Sequence, residues 1–204
     1  MEYEEFLQRK LKTKVESGFI VSESELNGNL FDFQKFIVLR ALKAGKYAIF
    51  ADCGLGKTLM QLEWANRVST YTRKPVLILA PLAVSGQTIK EGEKFGIAVQ
   101  KYDGSNFPIQ ITNYEQLENI DCSLFSGVVL DESSILKNFT GVYKNLIIEK
   151  FSDTNYKLAC TATPAPNDLN EIGNHSEFLD VMEAPDMRMR WFVRDEGMNN
   201  YRLK

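Results

Sequence analysis

The chain has 204 residues, of which 44% are hydrophobic and 25% are charged. This composition supports a globular core and excludes a disordered chain. Three cysteines without a C-x-x-C spacing argue against a disulfide framework or a zinc site, and a single histidine, His175, argues against a His-based metal site or a Ser-His-Asp triad. The net charge of −3 means that any binding to nucleic acid has to use a local patch of the surface.

The chain begins with residues 1–30, which we interpret as an N-terminal extension and linker because residues 16–30 are rich in Ser, Glu, Asn and Gly. Apolar residues then recur at helical spacing and predict a helix over 31–44. Short apolar runs predict strands at 47–51, 75–80, 98–102, 109–112, 127–131 and 156–161. Helical patterns lie at 57–68, 85–95, 142–151 and 168–179, the last with Asn167 as its N-cap.

Strands that alternate with helices predict an α/β fold, with a mostly parallel central sheet and helices on both faces. No apolar stretch is long enough to span a membrane, and the N-terminus is too charged for a signal peptide. We therefore expect a cytoplasmic protein.

A phosphate-binding loop is predicted at residues 51–58, A-D-C-G-L-G-K-T, between a strand and a helix. Gly54 and Gly56 let backbone N–H groups approach an anion closely. Lys57 can reach the β- and γ-phosphates of ATP, and the Thr58 hydroxyl can ligate Mg²⁺. The alternative is an ordinary glycine-containing turn with an exposed lysine.

An acidic pair follows the apolar run at 127–131, and buried parallel strands deliver their chemistry at their carboxyl ends. Asp131 would hold Mg²⁺ through water, and Glu132 would orient or deprotonate the attacking water. With Lys57 these two acids form the predicted catalytic set. The alternative is a plain exit from a strand into a loop.

Gln34 lies on the helix before the phosphate loop, 23 residues upstream of Lys57. Its amide could pair with the donor and acceptor edges of adenine, although a surface glutamine is the alternative. The residues predicted to contact the nucleotide are Gln34, Asp52, Gly54, Leu55, Gly56, Lys57 and Thr58.

The ordered motifs resemble the first, RecA-like motor lobe of superfamily-two helicases, and within them the Snf-type DNA translocases. The resemblance covers residues 31–179. We assign residues 31–181 to this lobe, and residues 182–204 remain as a tail or as the start of a connection to a second lobe. The matching stretches are D-C-G-L-G-K-T at 52–58, A-P-L at 80–82, I-T-N-Y-E at 111–115, K-N at 137–138, T-A-T-P at 161–164 and N-D-L-N-E-I at 167–172.

One motif departs from the family. The usual D-E-A-H reads Asp131-Glu132-Ser133-Ser134 in this chain. Both acids remain, so the metal and water-activation roles should survive. Ser134 can hydrogen-bond but has no titratable nitrogen, which leaves the contact made by the family's histidine open. The Ser-Ser form also resembles phage-encoded members and suggests a bacterial or phage-infected cell.

The resemblance implies a DNA-facing side that contacts the phosphates of one strand and reads few bases. The residues implied there are Pro81, Gln87, Thr112 and Asn113. Thr161 and Thr163 would couple the nucleotide site to DNA. Turn chemistry alone is the alternative explanation for such residues at the ends of strands.

The resemblance also implies ATP and Mg²⁺ as ligands, DNA (double-stranded in our reading) as a partner, and a second RecA-like lobe in cis or in trans. That lobe would supply arginines that stabilise the transferring phosphoryl group. We therefore expect a monomeric chain that is weak or inactive as an ATPase by itself. The other functions left open are a different P-loop enzyme and a non-catalytic, nucleotide-dependent interaction module.

Overall fold

The computed structural model describes residues 16–137, 141–194 and 201–204. Residues 1–15 of the predicted N-terminal extension and Asn138 of the K-N stretch lie outside these residues. Within the described part of the chain, the helices are α1 (Asp32–Ala44), α2 (Lys57–Thr72), α3 (Ser85–Lys94), α4 (Val142–Lys150), α5 (Ile172–Phe178) and α6 (Ala184–Trp191). The strands are β1 (Lys46–Phe50), β2 (Val76–Ala80), β3 (Gln100–Lys101), β4 (Ile109–Asn113), β5 (Gly127–Asp131), β6 (Tyr156–Thr161), β7 (Phe192–Arg194) and β8 (Tyr201–Leu203).

The first six strands form one sheet in the order β1-β6-β5-β2-β4-β3, and every neighbouring pair is parallel. The predicted α/β fold is therefore confirmed. β6 lies between β1 and β5, so the segments that follow these three strands leave the sheet side by side, because parallel strands all end at the same edge.

The sheet is buried on both faces, as expected for parallel strands connected by helices. Along β2, Ile78 packs into a core with Leu42 of α1 and Trp64 of α2. Its neighbour Leu77 packs into a second core, which contains Phe178 of α5. Helices α1 and α2 therefore cover one face, and α4 and α5 cover the other.

The predicted linker packs into the first core. Phe19, Leu26 and Leu30 are buried there, and the Phe19 N–H donates to the Leu42 carbonyl at 3.0 Å. A Cβ on Gly18 would collide with the same carbonyl, so this close approach of two backbone segments requires glycine. The packing of this segment was not predicted, because its hydrophobic residues are widely spaced among polar ones and form no periodic pattern.

The predicted N-cap Asn167 is wrong. The Asp168 Oδ1 accepts from the Asn170 N–H at 2.9 Å and caps a 3₁₀ helix, Leu169–Glu171, that leads into α5. Asn167 instead donates its side-chain Nδ2 to Glu171 Oε1 at 2.8 Å. Asn and Asp are comparable caps, so adjacent ones cannot be ranked by local preference alone.

The described residues of the C-terminal segment form a helix and two strands. Helix α6 packs on α5, and β7 pairs with β8 in an antiparallel hairpin. An apolar cavity of about 430 Å³ lies between β1, α5, α6 and this hairpin. In the described residues, no helix is long and apolar enough to cross a membrane.

A pair of lysines, one of them buried, holds the amino ends of β1 and β6 together. Lys46 and Lys157 are aligned in the sheet, and both donate to Asp180 Oδ2, at 2.6 and 2.8 Å. The side chain of Lys157 is 1% exposed, and burial lowers the pKa of its ammonium while Asp180 opposes that change. Removing the carboxylate would leave a buried cation without its partner.

We predict that Asp180→Asn lowers the free energy of unfolding by about 2 kcal/mol, less than for a fully buried pair because Asp180 is partly exposed. Asn tolerates the positive φ of 55° at this position, so the substitution tests the charge. Asp32→Asn, at a fully exposed side chain, is the control and should change stability by less than about 0.5 kcal/mol. Equal urea midpoints for the two variants would contradict the prediction.

Candidate nucleotide-binding site

The phosphate loop connects β1 to α2 and turns on two glycines in the left-handed region, Gly54 (φ 80°) and Gly56 (φ 73°). The Lys57 Nζ donates to the loop carbonyls of Ala51 and Asp52 at 2.9 and 3.1 Å. No side chain caps the N-terminus of α2, which is 16 residues long. Its first N–H groups and the lysine together suit an anion with several oxygens.

Gln34 is buried behind this loop, with 3% of its surface exposed, so the alternative of a surface glutamine is wrong. Its Oε1 accepts from the Phe31 N–H, and its Nε2 donates to the Leu55 carbonyl, both at 2.9 Å. The side chain therefore braces the start of α1 against the loop. Pairing with adenine stays a prediction, and it would have to use the second N–H and lone pair of the amide.

The acidic motif reaches the loop through α2. The Gln61 Nε2, one turn after Lys57, donates to Asp131 Oδ1 at 2.9 Å. The pKa of Asp131 is raised, chiefly by burial and also by the Glu132 charge. The Gln61 hydrogen bond and the Lys57 charge oppose this increase. The Gln61 hydrogen bond therefore holds the acidic motif against α2, the helix that begins at Lys57.

Glu132 sits in a strained backbone conformation with φ of 60°, which is unusual for a residue with a Cβ. Its Oε1 accepts from the hydroxyls of Thr161 and Ser134, at 2.6 and 2.7 Å. Thr161 Oγ1 also accepts from the Thr163 N–H at 3.0 Å. Of the two predicted coupling threonines, Thr161 contacts the predicted catalytic glutamate directly, and Thr163 contacts Thr161.

The oxygen atoms of Thr58 and Asp131 are the predicted Mg²⁺ ligands. They suit this ion, because Mg²⁺ prefers hard oxygen ligands and keeps several waters, so one or two protein groups suffice. A partly buried carboxylate with a raised pKa also gains from a cation beside it. The residues present therefore fit the metal.

The predicted DNA-facing residues follow neighbouring strands at the same edge. Pro81 comes directly after β2, and Asn113 ends β4 opposite Ala80. Asn113 Oδ1 accepts from the Gln116 N–H at 3.1 Å, so this side chain does serve turn chemistry. Thr112 is half-buried, and Gln87 is exposed on α3.

A family comparison decides the assignment. The profile of the SNF2-related domain matches residues 57–195, which is most of the chain. The chain belongs to the SNF2-related domain family. The resemblance to the Snf-type branch of superfamily-two helicases is thereby confirmed.

Relatives of this SNF2-related chain are much longer proteins. It is 25% identical over 181 residues to a "Probable chromatin-remodeling complex ATPase chain" of Oryza sativa subsp. japonica, covering 76% of the chain and 16% of that protein. It is 25% identical over 223 residues to the Arabidopsis thaliana "ISWI chromatin-remodeling complex ATPase CHR11", covering 94% of the chain and 21% of that protein.

Solved structures show the same fold. The Sulfolobus solfataricus SWI2/SNF2 ATPase core in complex with dsDNA superimposes with a TM-score of 0.70 at 20% identity, covering 85% of this chain and 41% of that one. The UvsW helicase from bacteriophage T4 gives a TM-score of 0.62 at 15% identity, covering 90% of this chain and 66% of that one. The predicted RecA-like lobe is confirmed.

Three residues with contacts at the site of this SNF2-related lobe were not predicted to be site residues: Gln61, Tyr114 and His175. The Tyr114 hydroxyl donates to the Asp131 carbonyl at 2.8 Å, and His175 contacts Ser133. Only Gln61 carried a usable signal, because it lies four residues after Lys57 and therefore on the same side of α2.

We predict that Gly56→Ala is more destabilising than Gly54→Ala. Both glycines have positive φ, which costs alanine about 1 kcal/mol. A Cβ on Gly56 would also collide with the Gln34 amide, whereas a Cβ on Gly54 would meet no atom within 4 Å. We expect a further loss of about 1–3 kcal/mol for Gly56→Ala, measured by chemical denaturation. Equal stabilities would contradict the bracing role of Gln34.

Proposed function

We propose that this chain is the ATP-binding lobe of an Snf-type DNA translocase, hydrolysing ATP to move along DNA when a second lobe completes it. One observation carries the proposal: the Lys57 loop and the Asp131–Glu132 pair meet at one edge of the sheet, joined by the Gln61–Asp131 hydrogen bond. Membership of the SNF2-related family supports it.

Each residue has a distinct task in this proposal. The N–H groups of the loop and of the first turn of α2 bind the phosphates, and Lys57 neutralises their charge. Thr58 and Asp131 hold Mg²⁺, which when bound shields the phosphate charge. Glu132, held by Thr161, accepts a proton from the attacking water or orients it.

DNA and a second lobe are the proposed partners. The named relatives are chromatin-remodelling ATPases, and one structural neighbour was solved with double-stranded DNA. An acidic chain binds DNA best through backbone N–H groups and small hydroxyls at one edge, where Pro81, Thr112 and Asn113 lie. A monomeric state, a cytoplasmic location and a connecting role for residues 182–204 stay predictions.

We predict that Lys57→Ala weakens binding of Mg·ATP by roughly 30-fold, because a charge-assisted contact to phosphate contributes about 2 kcal/mol. Glu132→Gln should leave the affinity within a few-fold while stopping hydrolysis in a two-lobed protein. Lys74→Ala, at an exposed lysine outside the loop, is the control. Isothermal titration calorimetry measures the Mg·ATP affinity of the three variants. A wild-type affinity in Lys57→Ala would refute this site.

A second prediction concerns the DNA-facing edge. Gln87→Glu adds a negative charge there and should weaken binding of a short DNA duplex several-fold at low salt, because phosphate contacts dominate such affinity. Asn145→Asp, the same charge change on the exposed side of α4, should leave binding unchanged. Fluorescence anisotropy compares the variants, and equal losses would show that the effect is one of overall charge.

A further inference from the structure

The serines that replace Ala-His in the acidic motif each have a specific partner. The Ser134 hydroxyl donates to Glu132 Oε1 at 2.7 Å. The Ser133 hydroxyl shares a hydrogen bond of 3.0 Å with Nε2 of His175, which lies on α5, 42 residues along the chain. The motif has lost its own histidine, and a histidine from a different element contacts it.

The Ser133–His175 pair is deeply buried. Ser133 is completely inaccessible and His175 is 1% exposed. Burial lowers the pKa of His175, with Glu171 opposing, so the ring is neutral near pH 7. A neutral imidazole pairs its Nε2 with the buried Ser133 hydroxyl without a buried charge, and its Nδ1 is a buried atom without a hydrogen-bond partner among the described residues.

The pair connects three parts of the site. The His175 ring packs edge-on against Phe50, the last residue of β1 before the phosphate loop, with ring centroids 5.2 Å apart. Next to it on α5, the Asn174 Nδ2 donates to the Leu136 carbonyl at 2.6 Å. Two adjacent side chains of α5 therefore hold the 3₁₀ helix Ser133–Lys137, which follows Glu132.

We propose that Ser134 and the Ser133–His175 pair are positioning residues for the Glu132 carboxylate. Ser134, with Thr161, fixes one carboxylate oxygen and so sets the direction of the other. The Ser133–His175 bond anchors the strained peptide that carries Glu132 to α5. The inference rests on the proposed function, because positioning of Glu132 matters only if a nucleotide binds beside it.

Such an anchor makes His175 a reporter of the nucleotide site. Strained backbone persists only where its surroundings hold it, so a change at Glu132 on nucleotide binding is passed to its anchor. His175 is the only histidine of the chain, so its ring resonances in an NMR spectrum need no assignment.

The test is an NMR titration of the ¹⁵N-labelled 204-residue chain with Mg²⁺ and a slowly hydrolysed ATP analogue, with calorimetry in parallel. We expect the wild-type ring resonances to shift on binding. Ser133→Ala should bind the analogue within about twofold of wild type but lose most of that shift. Alanine is the residue that the D-E-A-H pattern has at this position, which favours a folded variant. Ser152→Ala, at an exposed serine, should behave as wild type.

Substitutions of Ser134 provide a second, independent test of the positioning role. Ser134→Ala should reduce the response of His175, and Ser134→Thr, which keeps a hydroxyl, should restore it. A wild-type response in both alanine variants, or a silent His175 in wild-type protein that binds the analogue, would overturn the positioning role alone. Failure of the wild-type chain to bind the analogue would overturn the proposed function and this inference with it.

Discussion

Parallel alignment of β1, β6 and β5 is the constraint on which this lobe depends. Because all three strands end at one edge, the phosphate loop, Thr161 and the acidic pair are brought together although they are far apart in the sequence. The Gln61–Asp131 hydrogen bond then fixes the distance between α2 and β5. The Lys57 ammonium and the carboxylates of the acidic pair thus lie around one position without forming an ion pair with each other.

Glu132 has a strained backbone conformation and a side chain that is held by hydrogen bonds. The left-handed backbone conformation of this glutamate costs free energy. Its carboxylate is held by the hydroxyls of Thr161 and Ser134. This chain keeps both acids of the family pattern and changes the residues after them. The first of these residues, Ser133, shares a hydrogen bond with His175 of α5 in this chain.

Much of the fold was predictable from the sequence, because buried parallel strands are continuous apolar runs and the helices between them have clear periodicity. The loop glycines and the acidic pair were predictable because their chemistry demands those residue types. Gln34 was assigned to the surface or to adenine, since no local pattern shows that its amide braces the loop. The packing of residues 16–30 and the partner of Ser133 depend on contacts between distant segments, which local patterns do not encode.

The most direct test is a crystal structure of this chain with Mg²⁺ and a non-hydrolysable ATP analogue. The account predicts a magnesium ion between the Thr58 hydroxyl and the Asp131 carboxylate, directly or through water, with the terminal phosphate contacted by Lys57 and facing Glu132. A triphosphate bound elsewhere on the lobe, or at this edge with the metal away from Asp131, would contradict it.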